Sequence, residues 1–131
     1  MKVLALDFGS ARTGVAVSDP TGSVARPVGV VEHAATEEGI ARVLALARAE
    51  GVDLIVVGLP LTLRGERGAQ AEETERFVES LQAATDLPVQ SFDERFTTKL
   101  ASAQATAAPE DAAAAAHLLT SYLTWKSSRV T

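Results

Sequence analysis

The chain has 131 residues, 47% of them hydrophobic and 22% charged, which is typical of one folded globular domain (residues 1–131) and excludes a disordered segment. It has no cysteine and only two histidines, which excludes a disulfide scaffold and a thiolate zinc site and leaves oxygen ligands for any metal. The net charge of -5 opposes binding to nucleic acid phosphates unless basic residues are concentrated locally.

Three short β-strands are predicted in the first quarter of the chain. The apolar run at 2–8 is followed by a glycine-containing turn, and a second run at 15–18 completes a hairpin. Residues 19–22 have turn chemistry, and residues 23–31 would return as a third strand whose Pro27 suits a sheet edge. This part of the chain is therefore expected to form an antiparallel meander.

The middle of the chain alternates between helices and strands. Apolar residues recur at helical spacing between Thr36 and Glu50, and Gly51 is a helix stop signal. The apolar run at 53–59, ended by Pro60, is typical of a central strand covered on both faces. A second helix is indicated by the apolar stripe of Thr74, Phe77, Val78 and Leu81.

The remaining residues are predicted to form a short strand at 87–92, a helix at 97–107 and a final helix from near Pro109 to about Trp125. The complete order is β, β, β, α, β, α, β, α, α. This order predicts an α/β fold with a five-stranded mixed sheet, in which the antiparallel meander is joined by two parallel strands and flanked by helices.

Carboxylates occur at the ends of three predicted elements. Asp7 ends the first strand, Asp93 and Glu94 close the strand at 87–92, and Asp111 lies in the first turn of the last helix. Only one of the two adjacent acids can face the side of Asp7. Each acid also has a purely structural explanation. Asp7 could cap its turn, and Asp93 or Thr97 could cap a helix while Glu94 is solvated. Asp111 could stabilise a helix N-terminus. Together they supply the carboxylates that a Mg²⁺ or Mn²⁺ site for phosphoryl chemistry needs.

Four ordered motifs resemble the YqgF/RuvX family across nearly the whole chain. They are MKVLALDFGSARTGVAVSD, VVGLPLTLRGERG, VQSFDERFTT and the D-x-A-x-A stretch that begins at Asp111. The resemblance implies a ribonuclease H-like fold and a nuclease that depends on Mg²⁺ or Mn²⁺. It also implies a structured nucleic acid substrate, with pre-16S ribosomal RNA maturation and Holliday junction resolution as the two roles.

The resemblance further implies roles for individual residues. Asp7, Glu94 and Asp111 match the metal-binding catalytic acids of the family, with Asp93 as the alternative at the middle position. Basic residues in or beside the motifs would contact the nucleic acid: Arg12, Arg64, Arg67, Arg95 and Lys99. A substrate loop would be shaped by Gly58, Pro60 and Gly65.

Two other classes of protein share parts of this pattern. Actin-like nucleotide phosphotransferases carry a similar D-F-G-S-A-R-T-G hairpin, but they need a second lobe, for which 131 residues are too few. A non-catalytic nucleic-acid-binding module of the same fold would suit the acidic net charge. A nuclease would lose metal-dependent cleavage on Asp7→Asn substitution, whereas a binding module would have no cleavage to lose.

Location and assembly are predicted from weaker signals. No apolar run approaches the roughly 20 residues that span a bilayer, and no signal peptide is recognised, so a cytoplasmic protein without a membrane partner is expected. Junction resolution would require two active sites on opposed strands, for which a homodimer is the simplest solution. His117 falls on a different helix face from Asp111, and it is predicted to be structural. Tyr122 and Trp125 are predicted to make core or dimer contacts.

Overall fold

The computed structural model describes residues 1–60, 68–93 and 110–128. The elements are β1 (Val3–Asp7), β2 (Arg12–Ser18), β3 (Ala25–Glu32), α1 (Glu37–Glu50), β4 (Leu54–Leu59), α2 (Ala69–Ala84), β5 (Val89–Asp93) and α3 (Glu110–Ser128). Their order confirms the prediction within this part of the chain. The helix predicted at 97–107 lies outside the described residues.

The strands form one five-stranded sheet in the order β3-β2-β1-β4-β5. β2 pairs antiparallel with both β1 and β3, while β4 pairs parallel with both β1 and β5. The predicted mixed sheet is therefore confirmed. Pro27 lies opposite Ala16 on the edge strand β3, next to an irregularity in the ladder, where its missing N–H is tolerated.

Strand β2 begins at Arg12, three residues before the predicted start. The prediction was wrong because the glycine-rich stretch 9–14 was interpreted entirely as a turn. In the sheet, Gly14 pairs with Asp7 of β1, and Arg12 pairs with Glu32 of β3. Ladder pairing on both sides of β2 therefore extends the strand through polar residues that have no apolar pattern.

The two faces of the sheet are covered by different helices. One face buries Leu4, Leu6, Val15 and Val57 against the inner residues of α1 and α2. The other face buries Val3, Ala5, Val56 and Phe92 against α3. The strict alternation along β1 follows from the two-residue period of a strand. Odd-numbered residues of β1 face α3, and even-numbered residues face α1 and α2. The second face is called the α3 face below.

Helix α1 has the ends that the sequence predicts. The Thr36 hydroxyl accepts a hydrogen bond from the Gly39 N–H at 3.0 Å, which satisfies one of the free donors of the first turn. Gly51 ends the helix in the left-handed conformation with φ of 66°. These two caps confirm the helix predicted from Thr36 to Glu50.

Helix α3 packs closely on the sheet because its inner residues are small. Ala112, Ala115 and Ala116 are buried, and towards the C-terminus Tyr122 meets Phe92 edge-on with ring centroids 5.4 Å apart. Alanine combines high helix propensity with little volume, so the helix can lie near the backbone of β2. None of the helices in the described ranges is long and apolar enough to cross a membrane.

Candidate functional site

Asp7 is the last residue of β1, and its side chain lies on the α3 face. It pairs with Gly14 in the antiparallel β1–β2 ladder, and directly opposed residues project their Cβ atoms to the same side of the sheet. Val3 and Ala5, which precede it at two-residue intervals, are also packed on the α3 face. The half-buried Asp7 carboxylate therefore lies at the carboxyl end of β1, under the start of α3.

The first turn of α3 reaches this point because residue 14 is glycine. A Cβ atom on Gly14 would lie 1.7 Å from the carbonyl oxygen of Asp111 and 3.1 Å from the backbone nitrogen of Ala112. No side chain fits in that space. Since the Cβ atoms of a directly opposed pair are about 5 Å apart, Gly14 brings the Asp111 backbone next to the side chain of Asp7.

Asp111 forms an ion pair at the same place. Its Oδ2 atom lies 3.0 Å from the Nη2 atom of Arg12, the first residue of β2. The Asp111 side chain is 33% exposed and that of Arg12 is 62% exposed. The corner formed by the end of β1, the start of β2 and the start of α3 thus holds two carboxylates and one guanidinium, partly open to solvent.

Asp93 is the last residue of β5, and the alternation of the strand determines the face to which its side chain projects. Phe92 is buried on the α3 face, so Asp93 projects towards the opposite face, which α1 and α2 cover. Asp93 pairs with Leu59 at the carboxyl end of β4. Asp7 and Asp93 therefore lie at the carboxyl ends of strands that run in the same direction, but their side chains project from opposite faces of the sheet.

Several predicted site residues lie outside the described residues. They are Glu94, Arg64, Arg67, Arg95, Lys99 and Gly65. Within residues 1–60, 68–93 and 110–128, no group of three or more His, Cys, Asp or Glu side chains is arranged to hold a metal. Two of the three predicted metal ligands, Asp7 and Asp111, belong to these ranges. Gly58 lies within β4, where it pairs with Phe92, and Pro60 directly follows the strand.

The remaining predicted residues have structural positions. Tyr122 is buried in the α3 face of the core, and burial raises the pKa of its hydroxyl group above the usual value. Trp125 packs partly buried beside Tyr122 and Phe92. His117 has a buried Nε2 atom that finds no hydrogen-bond partner in the described part of the chain.

Gly14 has a role in the site that was not predicted from the sequence. Its interpretation as a turn residue was wrong, because it is a strand residue that gives α3 access to the sheet. A glycine inside a strand often marks such a close backbone approach. The sequence contains this signal, but Gly14 was interpreted together with Gly9 as part of one turn.

The sheet order, the two helical layers and the position of α3 define a ribonuclease H-like fold. RuvC from Thermus thermophilus, solved in complex with a Holliday junction substrate, superimposes with a TM-score of 0.68 at 17% sequence identity. The match covers 98% of this chain and 96% of RuvC. A second structure of Thermus thermophilus RuvC gives a TM-score of 0.66. At this low identity the comparison establishes the fold.

Sequence comparison then assigns the family. The model of the RuvX family, described as Holliday junction resolvase, matches residues 1–125, and the chain belongs to this family. A Chloroflexus aurantiacus protein named "Putative pre-16S rRNA nuclease" is 47% identical over 96 residues. A protein of the same name from Anaeromyxobacter sp. is 44% identical over 98 residues, which cover 75% of this chain and 72% of that protein.

The chain matches less than two thirds of the length of its first relative. The aligned segment of 96 residues covers 73% of this chain but only 63% of the Chloroflexus aurantiacus protein. The RuvX and RuvC comparisons confirm the family and the ribonuclease H-like α/β fold that the sequence motifs indicated.

Proposed function

We propose that this protein is a divalent-metal-dependent nuclease that hydrolyses phosphodiester bonds in structured nucleic acid. The observation that carries the proposal is the position of Asp7 on the α3 face, beside the backbone of Asp111 at one corner of the sheet. These residues are 104 positions apart in the sequence. Two carboxylates brought together repel each other unless a cation lies nearby, which is the environment that a metal site provides.

Mg²⁺ or Mn²⁺ fits the available ligands. Both ions prefer oxygen ligands and keep several water molecules, so two or three carboxylates from separate elements suffice. Asp7 and Asp111 would supply two of these carboxylates. We assign the third to Glu94, which matches the acid of the family motif. The position of Asp93, whose side chain projects to the face opposite that of Asp7, supports this choice between the two adjacent acids.

The bound ions would supply the chemistry of hydrolysis, since divalent metals activate water and stabilise the leaving oxygen of an in-line displacement. The protein residues would orient the substrate. Arg12 is exposed at the same corner as Asp7 and Asp111, and a guanidinium can contact a phosphate through two hydrogen bonds. Further phosphate contacts are assigned from the motifs to Arg64, Arg67, Arg95 and Lys99. This local set of cations would offset the net charge of -5.

Two substrates are consistent with the relatives. The curated relatives are named for pre-16S ribosomal RNA, whereas the family description names the Holliday junction. Both substrates are structured nucleic acids with the same phosphodiester linkage. A cytoplasmic location suits either role. For junction resolution we further propose a homodimer, because two opposed strands must be cut.

The test is a parallel cleavage assay with Mg²⁺ or Mn²⁺. The substrates are a four-way DNA junction, duplex DNA, single-stranded RNA and a structured 16S precursor RNA. Wild type should cleave at least one of them, and Asp7→Asn and Asp111→Asn should lose cleavage while remaining folded. Asp86→Asn is the matched control. The Asp86 carboxylate is exposed and precedes the N-terminal end of β5, at the end of the sheet opposite to the proposed site.

The assay separates the nuclease from a non-catalytic module. If wild type is folded, binds Mn²⁺ and cleaves none of the four substrates, the nuclease proposal is wrong. Retained binding to one of these substrates without cleavage would instead identify a binding module of the same fold. Equal activity of wild type and Asp7→Asn would contradict the proposed metal ligands.

A further inference from the structure

Arg12 and Asp111 are joined by an ion pair at the site where the metal is proposed to bind. The Nη2 atom of Arg12 lies 3.0 Å from Oδ2 of Asp111, and both side chains are partly exposed. The carboxylate that would bind the metal is therefore already in contact with a cation of the protein itself. One carboxylate oxygen cannot make a close contact with both cations at full strength, since the two positive charges would repel each other.

We propose that Arg12 neutralises Asp111 while the metal is absent and is displaced from Asp111 when the metal binds. The displaced guanidinium then becomes available to a substrate phosphate at the same corner. The inference rests on the proposed function, because it takes Asp7 and Asp111 as metal ligands. It adds an exchange of cations on one carboxylate, which couples metal loading to phosphate binding.

Two properties of this corner favour the exchange. Asp7 lies beside the start of α3, so the guanidinium of Arg12 on Asp111 lowers the negative charge of this corner before the metal arrives. The ion pair is partly exposed, and pairs that solvent reaches are weak because water and salt screen them. A divalent ion held by several carboxylates should therefore displace a monovalent guanidinium held by one.

The exchange also predicts that metal and nucleic acid bind cooperatively. A metal ion that displaces Arg12 from Asp111 leaves a guanidinium that can bind a phosphate group through two hydrogen bonds. By thermodynamic linkage, a phosphate that attracts Arg12 must strengthen metal binding by the same factor. The catalytic arrangement would then form mainly when the metal and the substrate are both bound.

The first test measures Mn²⁺ affinity by isothermal titration calorimetry, without nucleic acid. Arg12→Gln removes the competing cation, so it should bind Mn²⁺ about twofold to fivefold more tightly than wild type, the range expected for an exposed ion pair. Arg26→Gln is a closely matched control. Arg26 also pairs at 3.0 Å, with Glu50, and is 60% exposed, but it lies on β3 away from Asp7. Its Mn²⁺ affinity should equal that of wild type.

The second test measures the coupling by fluorescence anisotropy of a labelled four-way DNA junction. Ca²⁺ replaces Mg²⁺ here because it also takes carboxylate oxygens but tolerates looser geometry. The affinity gain that Ca²⁺ produces in wild type should be largely lost in Arg12→Gln and retained in Arg26→Gln. A loss of junction affinity in Arg12→Gln that is equal with and without Ca²⁺ would contradict the exchange.

The outcomes distinguish this inference from the proposed function. Unchanged or weaker Mn²⁺ binding by Arg12→Gln would overturn the exchange even if wild type is an active nuclease, because Arg12 would then not compete with the metal. Tighter Mn²⁺ binding by Arg12→Gln with no cleavage by wild type would support the exchange and contradict the nuclease. Absence of Mn²⁺ binding by wild type would overturn both.

Discussion

Gly14 of β2 and Asp111 of α3 are in such close backbone contact that a Cβ atom on Gly14 would lie 1.7 Å from the Asp111 carbonyl oxygen. The obstructing atom belongs to the backbone of a 19-residue helix, so it cannot be relieved by a side-chain rotation. Any larger residue at position 14 must lift the first turn of α3 away from the sheet. The position of Asp111 relative to Asp7 therefore depends on the absence of a side chain at Gly14.

Gly14→Ala should disable the site while leaving most of the fold in place. We expect overpacking to lower the free energy of unfolding by about 1–3 kcal/mol. A shift of about 1 Å at one metal ligand should reduce cleavage by roughly 100-fold, since catalytic geometry tolerates little displacement. Urea unfolding, Mn²⁺ titration and the cleavage assay measure the three effects.

Gly29→Ala is the control for this substitution. Gly29 also lies in a strand, β3, but a Cβ atom there would meet nothing within 4 Å. Its Mn²⁺ affinity and cleavage should match those of wild type. If Gly14→Ala binds Mn²⁺ and cleaves as well as Gly29→Ala, then the close approach of α3 does not define the site.

A second prediction concerns the two adjacent acids at the end of β5. Because Phe92 is buried on the α3 face, the side chain of Asp93 projects to the face opposite that of Asp7, which favours Glu94 as the third ligand under the proposed function. Glu94→Gln should therefore reduce Mn²⁺-dependent cleavage by at least about 100-fold, more than the loss of a group that only supports a ligand. Asp93→Asn should retain most of the cleavage. The reverse ranking would assign the ligand to Asp93 and show that the strand alternation breaks at this point.

The sequence predicted the fold well because the dominant signals are local. The apolar run of β4 between Asp53 and Pro60 marks a central strand, and the helical spacing from Thr36 to Glu50 with the stop signal at Gly51 marks α1. Buried and polar positions in these segments repeat with the period of the element itself. Elements of this kind can be predicted without knowing what they pack against.

The site was only partly predictable because it depends on contacts between distant segments. Asp7 and Asp111 were identified as candidates from their positions at element ends and from the family motifs. The ion pair with Arg12 and the role of Gly14 were not foreseen, since both arise where the start of α3 meets β2 about 100 residues earlier. No periodicity in the sequence encodes such a meeting.

A third prediction tests the N-terminal cap of α1. The Thr36 side chain accepts a hydrogen bond from Gly39, so Thr36→Ala should lower the free energy of unfolding by about 1 kcal/mol. Thr124→Ala is the matched control, because the exposed Thr124 hydroxyl donates to the Thr120 carbonyl within α3 and alanine is the better helix former. Urea unfolding should show a loss for Thr36→Ala and no loss, or a small gain, for Thr124→Ala. Equal losses would mean that the Thr36 hydroxyl makes no specific contribution as a cap.

The last prediction concerns the turn between β2 and β3, where the Asp19 carboxylate is a fixed acceptor. The pKa of Asp19 is lowered from 3.8 to about 2, chiefly by the hydrogen bond from the Thr21 hydroxyl and then by the backbone N–H groups of Val24 and Ser23. Those N–H groups lie 2.9 Å and 2.7 Å from Oδ1. Hydrogen bonds to the ionised form favour that form, and they stabilise the folded turn as long as Asp19 is charged.

The sign of the pH dependence follows from the lowered pKa. Because the folded protein holds the proton of Asp19 less tightly than the unfolded chain, the stabilisation is fully present above pH 3.8 and is lost as the pH falls towards 2. Asp19→Asn should therefore be less stable than wild type at pH 6, and the difference should shrink between pH 4 and pH 2. Thr21→Val, which removes the hydrogen bond that lowers the pKa of Asp19 most, should show the same trend with a smaller amplitude. Urea unfolding at pH 6, 4, 3 and 2 measures it, and a stability difference for Asp19→Asn that does not change with pH would show that the charge of Asp19 does not stabilise the turn.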